Sequence, residues 1–178
     1  MKKILIIIGL FISFILIYFL QINFFSWYNI AGIKPNLFII LALFIGLYMG
    51  KTYGLIIGLI MGLCLDLYIA KMIGTNFLVM GLSGFLGGVY DKNFSKDTLI
   101  TLILIVAGTT ILCETIVYIM QLIFLRVELT TLKFIYIVFI EAIYNVILII
   151  ILNPLIQKIG NSIEENFEKE KQFSKYLL

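Results

Sequence analysis

The 178-residue sequence contains no histidine, only two cysteines and only two prolines. The absence of histidine argues against haem sites, most metal sites and histidine-based nucleophile chemistry. The cysteines, Cys64 and Cys113, lie in apolar runs without the CxxC spacing of metal or redox sites, so we interpret both as packing thiols. No HExxH, GxSxG or phosphate-binding glycine loop occurs, so we expect no enzyme activity and no cofactor.

Charge is also scarce. Charged residues make up 13% of the chain and hydrophobic residues 62%, and the mean hydropathy is +1.14. Soluble domains are about half apolar and about a quarter charged, so this composition predicts an integral membrane protein. The net charge of +3 is spread along the chain, which argues against a nucleic-acid-binding face. We therefore predict an all-α, polytopic membrane helical bundle.

Six apolar stretches predict about six transmembrane helices. A single helix over residues 37–70 would be roughly 50 Å long, whereas the hydrocarbon core of a bilayer is about 30 Å thick. We therefore predict a break at Gly50, Lys51 and Thr52. No small-residue cleavage site follows the first stretch, so we interpret it as a retained helix and not a signal peptide. The predicted spans are residues 4–20, two short spans that this break divides within residues 37–70, and then residues 74–90, 99–124 and 134–155.

The basic residues favour a topology with both termini in the cytoplasm (N-in, C-in). This topology places nine of the 13 lysine and arginine residues on the cytoplasmic side: Lys2, Lys3, Lys51, Lys92, Lys96, Lys158, Lys169, Lys171 and Lys175. We divide the chain into a transmembrane domain, residues 1–156, and a cytoplasmic amphipathic and charged tail, residues 157–178. Two interpretations of the tail remain open: a helix lying at the membrane surface, or a docking helix for a partner.

Glycine recurs at every fourth position in "GLYMGKTYGLIIGLIMGLCLDLY", residues 46–68. In lipid, small residues allow two helix backbones to approach closely, so we predict that Gly54, Gly58 and Gly62 form a contact groove. Within the chain, the expected neighbour is the next glycine-rich helix, at Gly81, Gly84 and Gly88. The alternative is that the helix of a partner protein occupies the same groove.

Asp66 continues the glycine row by one more step of four. A charge at mid-bilayer costs at least about 2.5–3.5 kcal/mol, so an acidic residue among leucines requires an explanation. One interpretation is exposure at the membrane interface, because the apolar stretch ends a few residues later. The other is a cap that hydrogen-bonds the loop leading into the next helix.

Two polar stripes lie on the last two predicted helices. The first stripe is Thr110, Glu114, Tyr118 and Gln121, and the second is Glu141 and Asn145. Spacings of three and four residues place each stripe on one helix face, so we predict that the stripes face each other or a shared cavity. Three roles remain open: helix-joining hydrogen bonds worth about 0.6 kcal/mol each, a ligand or ion pocket, and a partner-facing surface.

Three segments, in order, resemble the MreD family of bacterial rod shape-determining membrane proteins. They are "KPNLFIILALFIGLYMGKTYGLIIGLIMGLCLDLY", "IGTNFLVMGLSGFLGG" and "EAIYNVILIIILNPL". They are similar to the family's Pro-Asn/Asp-Leu opening, its Gly-x-x-x-Asp-Leu ending, here Gly62 to Leu67, and its last helix with Glu, Asn and Pro. The glutamate-rich tail is not part of the family pattern.

The resemblance implies a non-enzymatic component of the cell-elongation machinery in the inner, cytoplasmic membrane. It implies binding to an MreC-like single-span protein, and indirect work with MreB, RodA and a penicillin-binding protein in peptidoglycan synthesis and cell shape. If the resemblance holds, we expect the function to depend on helix packing, most strongly at Asp66 and then at Gly58 and Gly62. The lipid bilayer is the other expected partner.

The alternative is a substrate-binding membrane subunit of an energy-coupling-factor vitamin transporter. Such S-components resemble this chain in length, in six spans and in packing through small residues, and the predicted bundle is similar to theirs. Broken short spans such as those predicted over residues 37–70 are also typical of transporters. This alternative predicts a polar, aromatic-lined pocket, for which Glu114 and Glu141 are the candidates.

Overall fold

The computed structural model describes the backbone of residues 2–68, 73–93, 98–125 and 130–176, and the surroundings of side chains 6–68, 73–90, 98–124 and 130–163. These ranges contain helices and no strand, which confirms the predicted all-α class. The helices are α1 (Lys2–Phe19), α2 (Phe25–Trp27), α3 (Leu37–Met49), α4 (Lys51–Tyr68), α5 (Thr75–Asn93), α6 (Leu99–Met120) and α7 (Thr131–Tyr176). Two π-helical segments, Leu20–Phe24 and Gln121–Leu125, extend α1 and α6.

The predicted break between the second and third apolar stretches is confirmed at Gly50. Its φ is +90° and its ψ is 166°, a backbone conformation that essentially only glycine adopts without strain. Hydrogen bonding continues through the break, since Gly50 N–H donates to the Gly46 carbonyl at 2.8 Å and Gly54 N–H donates to the Gly50 carbonyl at 2.9 Å. The chain thus changes direction without leaving these amides unpaired.

Four helices of the described residues are long and apolar enough to cross a membrane: Ile6–Trp27, Lys51–Tyr68, Leu99–Phe124 and Thr131–Ile163. Two shorter apolar helices, Leu37–Met49 and Thr75–Tyr90, account for the other predicted spans. At 1.5 Å per residue, α3 is about 20 Å long, less than the hydrocarbon core of about 30 Å. The polytopic helical architecture is therefore present, while the count of six spans stays a prediction.

The N-in, C-in topology also stays a prediction. Most of the basic residues behind it have side chains outside the described residues: Lys2, Lys3, Lys92, Lys96, Lys169, Lys171 and Lys175.

Helix α3 is the centre of the fold. Every one of its residues except Leu41 is buried, as expected for a helix that is apolar all round. Ile39 and Ala42 pack with residues of α4 and α5, whereas Leu43 and Leu47 pack with residues of α6 and α7. By contrast, no residue of α1 between positions 6 and 19 is buried. The bundle is therefore built around α3, with α1 at its periphery.

Helix α7 runs without interruption across the predicted domain boundary at residues 156 and 157. Pro154 lies inside the helix and cannot donate a backbone hydrogen bond there. Gly160, beyond the boundary, is buried, and a Cβ atom at this position would collide with the ring of Tyr48 on α3. The tail side chains from residue 164 onward lie outside the described residues, so both interpretations of the tail stay predictions.

Candidate functional site

Asp66, near the end of α4, caps the beginning of α5. Its Oδ2 accepts hydrogen bonds from the N–H groups of Gly74 and Phe77 at 2.9 Å each, and its Oδ1 accepts from the backbone N–H and the side-chain Nδ2 of Asn76 at 3.0 Å each. Only 3% of Asp66 is exposed, so the side chain is not at a wetted interface. The first turn of a helix has unpaired N–H groups and a positive dipole end, and a carboxylate satisfies both.

Helices α4 and α5 touch backbone to backbone along the glycine row. A Cβ atom on Gly54 would collide with the carbonyl oxygen of Gly84, and one on Gly58 with that of Met80. A Cβ atom on Gly62 would lie 2.6 Å from the Cα atom of Phe77. The groove predicted from the glycine spacing is therefore occupied by α5 of the same chain.

The glycines of α5 differ in what surrounds them. A Cβ atom on Gly84 or Gly88 would collide with the backbone of Gly54 or Lys51, respectively. At Gly81 it would instead meet the flexible side chain of Leu59, whose Cγ lies 2.9 Å away. All of these glycines are buried inside the chain, so this face is not available to a partner helix.

Two further glycines that sequence reasoning did not select extend the contact to α3. A Cβ atom on Gly46 would collide with the carbonyl oxygen of Gly84, and one on Gly87 with that of Leu43. Gly46 belongs to the same four-residue repeat as the α4 glycines, but the break at Gly50 places it on another helix. Gly84 is therefore the point where α3, α4 and α5 meet.

The start of α3 is held by polar groups from α6 and α7. Asn36 caps the helix, because its Oδ1 accepts a hydrogen bond from Ile39 N–H at 3.3 Å. The backbone N–H of Asn36 donates to Oδ1 of Asn145 at 2.9 Å, and Nδ2 of Asn145 donates to Oγ1 of Thr110 at 3.0 Å. Asn145 is fully buried, so these hydrogen bonds satisfy polar groups of its side chain that water does not reach.

Gln21 joins the same location from the segment after α1, and sequence reasoning missed it. Its Nε2 donates to the Pro35 carbonyl at 2.6 Å, and its Oε1 accepts from Leu37 N–H at 3.4 Å. The sequence did contain a signal for this role, because Gln21 is a lone carboxamide at the end of an apolar run. Polar side chains near lipid usually face the bundle interior.

The two predicted polar stripes face each other. Glu114 on α6 lies next to Glu141 on α7 and close to the side chain of Asn36. Together with the hydrogen bond between Thr110 and Asn145, this proximity fixes an antiparallel register between the two helices. We name six residues the α3 start cluster: Gln21, Asn36, Thr110, Glu114, Glu141 and Asn145.

The remaining members of the first stripe lie outside this cluster. Gln121 begins the π-helical segment, roughly 10 Å along the axis from Glu114. Tyr118 stacks on Phe134, with ring centroids 4.2 Å apart. The stripe predicted as one polar surface is thus divided between a buried polar cluster and an aromatic contact.

Chemically, these sites hold helix ends in place. Among the described residues, no group of three or more His, Cys, Asp and Glu side chains is placed to hold a metal ion. The hydrogen bonds of Asp66 and of the cluster end on helix backbones or on neighbouring side chains. The fold and these sites define a multi-pass helical membrane protein whose intramembrane polar residues join helices.

Comparison with protein families gives a match to the rod shape-determining protein MreD over residues 1–163. The chain belongs to the MreD family, which confirms the predicted resemblance, and the family is one of rod shape-determining membrane proteins. No match is found among curated proteins or among solved structures.

Proposed function

We propose that this protein is a non-catalytic component of the bacterial cell-elongation machinery in the cytoplasmic membrane. In this proposal it binds the transmembrane helix of an MreC-like single-span protein and thereby helps to organise peptidoglycan synthesis. MreB, RodA and a penicillin-binding protein act with it indirectly. Family membership over residues 1–163 is the observation that carries the proposal.

The geometry supports a role in helix packing because Asp66 and Asn145 form their hydrogen bonds with other helices of the same chain. Asp66 accepts four hydrogen bonds from the start of α5, and Asn145 joins α3, α6 and α7. The glycine row is covered by α5 in the same way. A partner helix must therefore dock on the lipid-facing surface.

One lipid-facing side of the bundle is formed by α1 and the outward face of α4. On α4, Ile60 and Leu67 are 58% and 72% exposed. A crevice of about 210 Å³ separates the two helices and is lined by Phe14, Ile15, Tyr18, Cys64, Leu65 and Tyr68. The crevice between α1 and α4 is the place that we propose for the partner helix.

The first experiment is an affinity purification of the tagged protein from its own cells in a gentle detergent, with mass spectrometry of the co-purifying proteins. We expect an MreC-like protein and cell-wall synthases. Recovery of a pair of ATPases with a transmembrane coupling subunit would overturn the proposal in favour of the vitamin transporter.

A photocrosslinking amino acid then locates the contact. We place it at Ile60 on the outward face of α4, and at Ile111 and Ile151 as exposed controls on α6 and α7. A crosslink to the single-span protein from Ile60 alone supports docking along α4. Equal crosslinking from all three positions contradicts a defined docking face.

The transporter alternative predicted a polar pocket bounded by Glu114 and Glu141. Instead, these two side chains lie next to each other across the contact between α6 and α7, which leaves no pocket between them. We therefore do not propose substrate binding.

A further inference from the structure

The segment between α1 and α3 is exposed although most of its residues are apolar or aromatic. We name residues 24–34 the aromatic loop. Residues 26–32 are all exposed, and the exposed fraction is 87% for Trp27, 62% for Tyr28 and 46% for Ile30. Bulk water is an unfavourable environment for such a set of side chains, and large exposed apolar patches mark contacts with a membrane or a partner.

The backbone and charge of the aromatic loop argue against a place in the hydrocarbon core. Its second half is not helical, and Ala31 and Gly32 have φ values of +53° and +80°. Irregular backbone that faces lipid does not occur in the hydrocarbon region, because its N–H and C=O groups have no water to bond. The exposed side chain of Lys34 carries a charge that is also costly there. The headgroup layer suits both kinds of group, since Trp and Tyr rings are enriched at that level.

Hydrogen bonds within the aromatic loop close its turn. Ile30 and Ile33 exchange backbone hydrogen bonds of 3.0 and 2.9 Å. Asn29 Nδ2 donates to the Ser26 carbonyl, and Asn29 Oδ1 accepts from Gly32 N–H, both at 3.0 Å. The exposed rings therefore stand on a defined backbone.

The aromatic loop is also joined to the bundle. Phe25 is only 6% exposed, and its ring packs edge-on against that of Tyr144 on α7, with centroids 5.9 Å apart. The Tyr144 hydroxyl donates to the Tyr28 carbonyl, and Gln21 Nε2 donates to the Pro35 carbonyl just before α3. The depth of the loop in the membrane thus fixes the depth at which α3 begins.

The apolar stretch of α7 does not by itself set this depth. It comprises 33 residues, Thr131–Ile163. At 1.5 Å per residue it is roughly 50 Å long, whereas the hydrocarbon core is about 30 Å thick. A separate feature must therefore mark the membrane surface.

Charge favours lipid over a second protein as the occupant of the exposed surface. Residues 20–36 contain no Asp or Glu, and Lys34 is their only charged residue. Its Nζ lies 3.1 Å from Oγ of Ser26, a neutral hydroxyl, so the positive charge is not neutralised within the segment. Lipid phosphates supply the complementary charge, and the long lysine side chain can reach them from an apolar surface.

We propose that the aromatic loop is a membrane-surface anchor whose partner is the lipid headgroup layer. The rings of Trp27 and Tyr28 lie just below the phosphates, and the Lys34 ammonium group lies beside them. The anchor holds the start of α3 at a set depth. This inference does not depend on which protein the chain binds.

Fluorescence quenching in vesicles tests the proposal. Trp27 is the only tryptophan of the chain, so its fluorescence reports on the aromatic loop alone. The full-length protein is reconstituted into vesicles of phosphatidylcholine and phosphatidylglycerol that carry a nitroxide either near the headgroup or near the end of the acyl chain, about 15 Å deeper. We expect the nitroxide near the headgroup to quench Trp27 several-fold more strongly than the one at the chain end.

A matched variant moves the fluorophore along the same helix. In Trp27→Phe combined with Ile12→Trp, the tryptophan lies roughly 22 Å along the axis from its original position. Ile12 is 57% exposed, so the new ring faces lipid. We expect the order to reverse, with the stronger quenching from the chain end.

Three results would overturn the proposal. Stronger quenching of Trp27 from the chain end would place the aromatic loop in the hydrocarbon core. Quenching by aqueous iodide and by neither nitroxide would place it in water. Protection from all three quenchers would mean that a second copy of the chain covers the ring. The wild-type measurement decides between these results even if the variant fails to fold.

Discussion

Replacing Gly58 by alanine should weaken the protein through a steric contact that one methyl group creates. The added Cβ atom would collide with the Met80 carbonyl oxygen, and it would lie 2.9 Å from the carbonyl carbon of Met80 and 3.2 Å from the Cα atom of Gly81. All of these are backbone atoms of a helix, so none can move by rotating a side chain. Helices α4 and α5 would have to separate.

Gly108 on α6 provides the matched control. It also lies inside a helix, but a Cβ atom built there has no atom within 4 Å apart from its own chain neighbours and the adjacent backbone of α6. Alanine gains roughly the same helix propensity over glycine at both positions, so that contribution largely cancels between the two variants. The difference in free energy of unfolding is then the steric cost, about 1–3 kcal/mol for overpacking, and we expect the upper end.

The assay is reversible unfolding in mixed micelles with increasing sodium dodecyl sulfate, followed by circular dichroism. Gly58→Ala should unfold at a lower detergent fraction than wild type, and Gly108→Ala at the same or a higher fraction. Gly81→Ala should fall between them, because the Leu59 side chain can move away. If Gly58→Ala and Gly108→Ala unfold together, close backbone contact does not stabilise this bundle.

Three further predictions use the same assay. Asp66→Asn should lower the free energy of unfolding by about 2–4 kcal/mol, because an amide nitrogen cannot accept hydrogen bonds from backbone N–H groups. Asn76→Ala removes only one donor to Asp66 and should lower it by only about 1 kcal/mol. Asn145→Ala should cost about 1–3 kcal/mol by unpairing the Asn36 N–H, whereas the exposed Asn23→Ala should stay within about 0.5 kcal/mol. Gly50→Ala should lower the free energy of unfolding by about 1–3 kcal/mol, because alanine is strained at a φ of +90° even where there is space for its Cβ atom. Equal stability of Gly50→Ala and of Gly9→Ala, which lies in a regular helix, would contradict this prediction.

Much of the fold follows from the order of residues along the chain. A composition of 62% hydrophobic residues requires lipid around the helices, and the length of the run from residue 37 to 70 requires a break. The break is at Gly50 because glycine alone adopts its positive φ readily. The spacing of four residues likewise places Glu114 with Thr110, and Glu141 with Asn145, on single helix faces.

The choice between the alternatives depended on contacts between distant parts of the chain. Asp66 is a cap because α5 begins beside it. The residues that follow Asp66 in the sequence do not specify where the next helix begins in space. The roles of Gln21 and Asn36 were missed because their partners are loop backbone atoms and residues up to 109 positions away. Such partners leave no periodic pattern.

The sequence by itself determined that this protein is a helical membrane protein of the MreD family, because hydropathy, glycine spacing and motif order are local properties of the chain. Only the tertiary structure decided that α5 fills the glycine row and that Glu114 meets Glu141 beside Asn36. The physical reason is that helix periodicity shows which residues share a face, whereas the identity of the opposing face depends on how the helices assemble.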